Sequence, residues 1–308
     1  MSKKNLRFVK DYNLPINIFD DEMFSYYRKL YKDFWPFEAE CLLNKELLKF
    51  DGNVDAWLES YSQLRDTIIN TLENSEEYIA FNNRDMSEFD IPNIGIGEHS
   101  LYNEETDGGL FLSIDLKKAN FQALKYVGVL KDDTYEDFIH RFGGSDYFAK
   151  SKYLRQVIFG KLNPKRQVKV EKYLVYNIHG IMNGVPGLEL YSINSDELVY
   201  RCTSLQDLLT EDKLKFLEVL VKEKFNINIR AEIVSIRRLK IVNANGNKVD
   251  AFVRTNIYTK EEKLKKASTT FFPQIYKIYK GEEITEKDMT FFFEDQIARF
   301  VKPLTLES

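Results

Sequence analysis

The chain has 308 residues, of which 44% are apolar, 14% aromatic and 30% charged, and its formal net charge is −4. This length and composition support a well-developed core in one large domain or two ordinary ones. The slightly acidic balance excludes a protein that attracts nucleic acid by its overall charge, so any such site has to be a local basic patch.

The two cysteines, Cys41 and Cys202, lie far apart in the sequence and belong to no CxxC motif. This spacing argues against a disulfide scaffold or a zinc site and is typical of a reducing compartment. The sequence has no apolar run of about 18 residues and no charged-then-apolar leader. We therefore expect a cytoplasmic protein with no membrane partner.

The N-terminal third is rich in helical patterns. Residues 1–19 are expected to be a polar start followed by an extended stretch at Asp11–Phe19, because Pro15 forces an open backbone. Apolar and aromatic residues then recur at helical spacing, first after Asp20 or Asp21, either of which can cap a helix. Further helical stretches cover about 36–50 and 54–73. We predict a mainly helical N-terminal subdomain over residues 1–100.

An acid interrupts the first predicted strand. Leu110–Leu116 is an apolar run broken by Asp115, and the amphipathic stretch after it predicts a helix up to Leu130. Further helices are predicted up to residue 182, one of them over Asp146–Phe159. Within them, residues 150–172 contain eight lysines and arginines but a single acid, Glu171. This segment has the sharpest charge asymmetry in the chain.

A second acidic feature is a hairpin. Leu188–Ile193 and Leu198–Tyr200 read as short strands on either side of a polar turn that contains Asp196 and Glu197. Adjacent carboxylates at a hairpin tip repel each other, so a cation shared with a second acidic strand explains them best. The strand that contains Asp115 is the candidate partner. Together they predict a site where two divalent metals act on a triphosphate.

The remainder of the chain predicts one helix, a basic hairpin and a helical end. Ser204–Phe225 has acids early and lysines late, which suits a helix dipole. Two β-rich runs, 227–241 and 248–258, flank the turn Asn243–Asn247 and are mostly basic. Residues 261–308 are predicted to be a helical segment packed on the core. The element order is therefore that of an α+β fold around one antiparallel sheet.

Two strings resemble the catalytic strands of palm-domain nucleotidyltransferases. Ser-Asp-Glu-Leu-Val-Tyr at 195–200 resembles the metal-binding hairpin of family A DNA polymerases and the Ser-Asp-Glu hairpin of the tRNA-histidine guanylyltransferases. Ser-Ile-Asp-Leu-Lys-Lys-Ala-Asn-Phe at 113–121 resembles the first metal-binding strand of either group, with Asp115 as the ligand. Asn120 stands where these polymerases usually have an acid.

A third string lies between the other two. The stretch at 152–160 resembles the nucleotide-binding fingers helix of family A polymerases, with Arg155 at the position of the Lys and Phe159 at that of the Phe. Asn163 takes the place of the expected Tyr. The three strings occur in the order of a palm polymerase and together cover about residues 110–202.

The resemblance implies a palm-like antiparallel sheet with flanking helices at 101–260, including a short fingers-like helical insertion at 130–182. It implies two Mg²⁺ (or Mn²⁺) ions held by Asp115, Asp196 and Glu197. The residues expected to bind a nucleoside triphosphate are Lys152, Arg155, Phe159 and Lys161. The residues expected to contact DNA or RNA are Lys165, Arg166, Arg237, Arg238, Lys240 and Arg254.

Each of these features also has an ordinary structural explanation. Asp196 and Glu197 suit a solvated turn, Asp115 suits a helix cap, and the basic run at 150–172 suits a solvated helix face. At the level of function we predict an enzyme that adds nucleotides to a nucleic acid. The alternatives are a catalytically degenerate palm that binds nucleic acid or acts as a replication scaffold, a palm that joins nucleotides to each other as nucleotide cyclases do, and a structural assembly protein.

Overall fold

The protein is described by a computed structural model that covers residues 2–17, 19–95, 97–204, 209–294 and 296–307. The fold is α+β around an antiparallel sheet, as the sequence predicted.

Twelve α-helices lie within the described residues, five of them before the first strand. They are α1 (Lys3–Tyr12), α2 (Asp21–Leu30), α3 (Phe37–Leu48), α4 (Val54–Glu73), α5 (Glu76–Asn83), α6 (Ala119–Tyr126), α7 (Tyr135–Arg141), α8 (Asp146–Lys150), α9 (Lys152–Lys161), α10 (Pro164–Met182), α11 (Glu211–Phe225) and α12 (Phe272–Lys280).

Eleven strands are described. They are β1 (Leu110–Leu116), β2 (Leu188–Ile193), β3 (Glu197–Cys202), β4 (Ile229–Arg238), β5 (Ile241–Val242), β6 (Lys248–Val249), β7 (Phe252–Asn256), β8 (Glu262–Lys265), β9 (Thr290–Phe293), β10 (Gln296–Arg299) and β11 (Thr305–Leu306).

The main sheet has six strands in the order β2-β3-β1-β4-β7-β8, and every neighbouring pair is antiparallel. Helices α6 to α10 connect β1 to β2, and α11 connects β3 to β4. The first four strands therefore have the split βαβ arrangement, in which β1 and β2 are separated by β3. This arrangement makes the strand with Asp115 a direct neighbour of the hairpin that contains Asp196 and Glu197.

The two faces of the sheet have different environments because strand side chains alternate. Leu112, Ile114, Leu198 and Ile233 belong to the main core cluster, to which α6, α10 and α11 contribute. A smaller apolar cluster around Phe111 lies on the opposite face. That opposite face also bears the charged residues Asp115, Glu197, Arg230, Glu232 and Arg254.

The prediction for the N-terminal start needs a correction at its helix. Residues 3–12 form α1, which includes the first two residues of the stretch predicted as extended, whereas residues 13–17 are not helical. Phe8 and Val9 are buried on one side of α1, and Asn13 ends this helix in the left-handed conformation with φ 49°. Pro15 comes after this turn, so it follows the helix and does not prevent it. Asp20 caps α2 by accepting a hydrogen bond from the Met23 amide, as predicted.

Two helix predictions need smaller corrections. The stretch predicted as one helix after Asp146 is divided at Ser151, whose hydroxyl accepts from the Leu154 amide and caps α9. The helix predicted from Ser204 begins at Glu211 after the cap Thr210, and residues 205–208 of that prediction lie outside the described residues.

The described residues after 261 contain one helix and four short strands, so the prediction of a helical C-terminal segment is wrong. Only α12 is helical within the described residues after 261, while β8 joins the main sheet, β9 pairs with β10, and β11 pairs with β5. One large core cluster runs from Phe8 to Tyr276, whereas the domain boundaries at 100 and 260 remain a prediction.

Candidate active site

The structure brings the three predicted carboxylates to one end of the sheet. Asp115 lies opposite Glu197 in the register of β1 with β3. The next residue, Leu116, donates its amide proton to the Asp196 carbonyl oxygen over 2.9 Å. The hairpin turn is therefore held against the end of β1 by backbone hydrogen bonds, which are independent of the acidic side chains.

The acids on the open face of the sheet already have partners. Arg230 Nη2 lies 3.1 Å from Asp115 Oδ2. Ser113 Oγ donates to Glu197 Oε1 over 2.6 Å, and Arg254 Nη2 donates to Ser113 Oγ over 3.2 Å. Arg254 also pairs with Glu232 at 2.8 Å. Four strands thus contribute to one network of alternating charge.

Asp115 has an unusual acidity. Burial raises the pKa of its carboxyl to about 6, Arg230 opposes this shift, and Glu197 and Asp196 reinforce it. A carboxyl group whose pKa is raised toward neutral pH by burial and by neighbouring acids is characteristic of functional sites, although structural networks also produce it. Because the folded state disfavours its charged form, the Asp115 carboxylate does not stabilise the fold.

A fourth acid lies behind the hairpin, and the sequence analysis missed it. Glu171 of α10 is only 3% exposed, and its Oε1 accepts a hydrogen bond from Asn120 Nδ2 over 2.9 Å. Burial, together with the charge of Asp196, raises the Glu171 pKa to about 7. A signal existed, because Glu171 falls in the apolar stripe of α10 with Leu174, Val175 and Ile178.

We predict a pH-dependent stability that originates from Glu171. Its pKa rises from 4.5 to about 7 on folding, so the unfolded chain loses this proton first as the pH increases. The protein should therefore lose about 3 kcal/mol of unfolding free energy between pH 4 and pH 8, and Glu171→Gln should lack this loss. Denaturant unfolding at both pH values measures it. Glu223→Gln, which changes an exposed acid, is the control and should keep the pH dependence of the wild type. An equal pH dependence in wild type and Glu171→Gln would contradict the assignment.

Arg155 of α9 is the predicted nucleotide-binding cation whose charge interacts with Asp115. It is half-buried, and its guanidinium lies 5.9 Å from the Tyr135 ring centre. Burial lowers its pKa, while Tyr135, Glu136 and Asp115 act in the opposite direction. No residue in the described part of the chain forms a hydrogen bond or ion pair with this guanidinium. A half-buried cation without such a partner is suited to bind an anion.

Lys118 adds a second cation beside Arg155. It lies between β1 and α6 in the left-handed conformation with φ 58°, which is uncommon for a residue with a side chain. Its ammonium contacts the Glu136 carboxylate, and burial lowers its pKa. The turn that follows Asp115 thus directs a lysine to the same region as Arg155.

The other predicted nucleotide-binding residues are placed differently. Lys152 and Lys161 are exposed at the two ends of α9. Phe159 is fully buried and packs against Phe121, Tyr135 and Phe138. In this conformation it cannot offer a ring to a nucleotide, so we correct its assignment to the core.

Four of the eight basic residues at 150–172 are engaged in contacts within the protein. Lys150, Lys169 and Lys172 pair with Glu38, Asp90 and Glu98. Arg166 donates to the backbone carbonyls of Phe81 and Arg84 and so attaches α10 to α5. Of the two residues predicted here to bind nucleic acid, only Lys165 is exposed.

The basic residues of β4 and β7 do not form a continuous track. Arg237 and Lys240 are exposed, whereas the Arg238 side chain is 7% exposed and pairs with Glu104 at 2.6 Å. Arg254 is committed to Glu232. Alternation along β4 separates Arg237 and Arg238 onto opposite faces. We therefore correct the assignment of Arg238 and Arg254, which are engaged within the protein, while contact of Arg237 and Lys240 with nucleic acid stays a prediction.

The donor types around Asp115 fit Mg²⁺, which prefers carboxylate oxygen. As they stand, however, the described residues contain no group of three His, Cys, Asp or Glu side chains that could hold a metal ion. Asp115 instead faces Arg230, and Glu197 faces Ser113. Metal binding would therefore require Arg230 to release Asp115.

Comparison of the chain with protein-family models, with curated proteins and with solved structures gave no match to any of them. The likeness to palm enzymes therefore rests on the residues and the geometry described above. Within the described ranges, no helix has the length and apolar character needed to cross a bilayer.

Proposed function

We propose that this protein is a nucleotidyltransferase that adds nucleotides to a nucleic acid. One observation carries the proposal: Asp115 at the end of β1 lies opposite Glu197 of β3, and the Asp196 backbone is hydrogen-bonded to the residue after Asp115. A palm-like site requires acids from these two chain segments to meet at one end of neighbouring strands in an antiparallel sheet. Helices cover the other face, as they do in a palm.

The chemistry of the acids suits this reaction. Asp115, Asp196 and Glu197 would hold two Mg²⁺ or Mn²⁺ ions, which, when bound, neutralise the charge that develops on the attacking and leaving oxygens. Burial and the neighbouring acids raise the Asp115 pKa to about 6. A metal cation that replaced the Arg230 contact would stabilise the charged carboxylate.

Arg155 supplies the complementary charge for the triphosphate. Its guanidinium is half-buried and has no ion-pair partner among the described residues. A guanidinium can donate two parallel hydrogen bonds to phosphate oxygens and can stabilise the charge of a departing pyrophosphate. Lys118 lies close enough to contribute a second positive charge, since the charge of Arg155 lowers the Lys118 pKa and the Glu136 carboxylate acts on both cations.

We predict that Arg155→Gln raises the KM for the nucleoside triphosphate about tenfold or more. The reason is that a hydrogen bond to a charged group is worth about 1.5–3 kcal/mol, and glutamine has no charge. Steady-state kinetics with a varied nucleotide concentration measures the effect. Arg28→Gln, which removes an arginine paired with Glu40, is the matched control and should leave KM unchanged. Equal KM values for wild type and Arg155→Gln would remove Arg155 from the site.

The experiment that tests the function is extension of a labelled oligonucleotide with dNTPs or NTPs and Mg²⁺ or Mn²⁺. Template-dependent extension by the wild type, absent in Asp115→Asn/Asp196→Asn, would identify a polymerase. Extension without a template would identify a terminal or tRNA-type transferase. Absence of extension with every nucleotide and metal, from a protein that is folded by circular dichroism, would reject the proposal.

A second candidate is the degenerate palm that binds nucleic acid without catalysis. The observation that favours it is the internal pairing of Asp115 with Arg230 and of Glu197 with Ser113, together with Asn120 in place of an acid. Mg²⁺ titration of the melting temperature separates the two candidates. A bound metal stabilises the native state, so a rise that Asp196→Asn abolishes supports the enzyme, and no rise supports the scaffold.

A further inference from the structure

A groove lies beside β8 at the edge of the main sheet, next to the strand that contains Arg254. It has a volume of about 630 Å³, in the range of ordinary ligand sites, and it runs between the end of α1, β8 and α12. The β8 wall contains three lysines, Lys263, Lys265 and Lys266. On the other side lie Tyr12 and Phe34, close to Lys280 of α12.

The positive charge of the groove is only partly compensated. Lys280 pairs with Asp33 at 2.6 Å, and Lys263 pairs with Glu261 at 2.9 Å. Lys265 and Lys266 form no ion pair with any residue that the structure describes. Lys265 is half-buried, and burial together with Arg254, Lys263 and Arg230 lowers its pKa. Mutually repelling cations around a cleft are stabilised by an anion.

Partly exposed aromatic rings line the same groove as these lysines. Tyr279 is half-buried and Phe34 is 39% exposed, so both offer ring surface to the groove. Tyr276 is only 4% exposed and packs against them, with its ring centre 6.1 Å from that of Tyr279. The Tyr279 hydroxyl is held by Glu262 and the Tyr276 hydroxyl by Asp33, so both rings have fixed orientations. Cations that follow a phosphate backbone, interleaved with rings on which bases stack, are the recurring chemistry of single-strand binding.

The groove is electrostatically connected to the candidate active site. Lys265 lies in the field of Glu197, and β8 is separated from β4 only by β7. Lys263 lies opposite Arg254 in the register of β8 with β7. A strand that occupies the groove would therefore continue toward Asp115 across the open face of the sheet.

We propose that the groove between α1, β8 and α12 binds a single-stranded segment of nucleic acid and leads it to the acidic end of the sheet. This inference rests on the proposed function for the identity of the ligand, but it does not require catalysis. A duplex is the poorer occupant, because paired bases cannot stack on rings inside a cleft.

The test is fluorescence anisotropy with a labelled single-stranded oligonucleotide, in EDTA and without nucleotide, so that no turnover occurs. Lys265→Glu/Lys266→Glu should weaken binding about tenfold or more. It should also reduce the slope of log affinity against log salt by roughly 1.4, since each single-strand phosphate contact contributes roughly 0.7. Lys213→Glu/Lys224→Glu, which reverses two exposed lysines of α11, is the control with the same change in net charge.

A second pair of variants tests the rings. Tyr279→Leu should weaken binding about fivefold or more with little change in salt slope, because stacking contributes at least about 1 kcal/mol per base. Tyr279→Phe should keep most of the affinity. Equal weakening by the groove and control lysine pairs, an unaffected Tyr279→Leu, or tighter binding of the duplex form would overturn the proposal.

The two proposals fail separately. Groove-dependent binding without extension in any condition rejects the proposed enzyme and keeps the groove. Extension that survives Lys265→Glu/Lys266→Glu with unchanged binding keeps the enzyme and rejects the groove.

Discussion

Asp115→Asn is expected to reduce nucleotide transfer by about 10³-fold or more. The carboxylate is one of the groups that would hold the ions, and loss of several kcal/mol of transition-state stabilisation corresponds to a factor of ten for each 1.36 kcal/mol. The same substitution should not lower the melting temperature. Burial raises the Asp115 pKa to about 6, so at pH 8 the folded state contains a carboxylate that its environment disfavours. Asparagine removes that charge.

The combination of both readouts separates a functional acid from a structural one. The rate is measured by oligonucleotide extension and the stability by thermal unfolding at pH 8. Asp66→Asn is the control, because Asp66 is an exposed acid paired with its neighbour Arg65 and should change neither quantity. If Asp115→Asn also lowers the melting temperature, the Asp115–Arg230 pair stabilises the fold, and the loss of activity no longer identifies a functional acid.

Asp11→Ala should produce the largest loss of stability, about 3–5 kcal/mol. Asp11 of α1 is 0% exposed, accepts hydrogen bonds from Tyr147 at 2.7 Å and Ser151 at 2.8 Å, and pairs with Arg7 at 3.1 Å. Removing one partner of a buried pair leaves the other charge and the hydroxyls uncompensated. The carboxylate joins α1 to α8 and to the start of α9, so its loss affects three helices together.

Denaturant unfolding at constant pH measures the Asp11 effect. Asp55→Ala is the matched control. Asp55 of α4 is an exposed acid that pairs with Lys3 of α1, the helix that also contains Asp11. Pairs of this kind contribute at most about 1 kcal/mol. Comparable losses in the two variants would show that the Asp11 network does not hold the N-terminal helices to the rest of the chain.

The sequence was sufficient for the elements on which the candidate site is built. The bounds of β1 and β2 agree with their predictions, and the hairpin with Asp196 and Glu197 lies where the polar turn placed it. These features depend on short-range patterns, namely apolar runs of strand length and a turn between them. The pairing of β1 with β3 follows from the split βαβ order, which limits the available arrangements.

Local pattern was insufficient where two periods compete or where partners are distant. The C-terminal residues were predicted as helices, yet β8 to β11 form strands because they find pairing partners in β7 and β5 or in each other. Phe159 looked like a ligand residue from its motif, but helices α6 and α7 cover it. Glu171 looked like one acid in a basic helix, and its burial against Asn120 depends on α6.

What the sequence by itself determined is the α+β class, the two acidic chain segments and the helical N-terminal region, because each is encoded within about 20 neighbouring residues. What only the tertiary structure decided is which charges are free. Arg166, Arg238 and Arg254 are engaged by groups more than 80 residues away or on another strand, whereas Arg155 and Lys265 are not. Electrostatic pairing depends on distance in space, so a charge can be assigned to a ligand only once its neighbours are known.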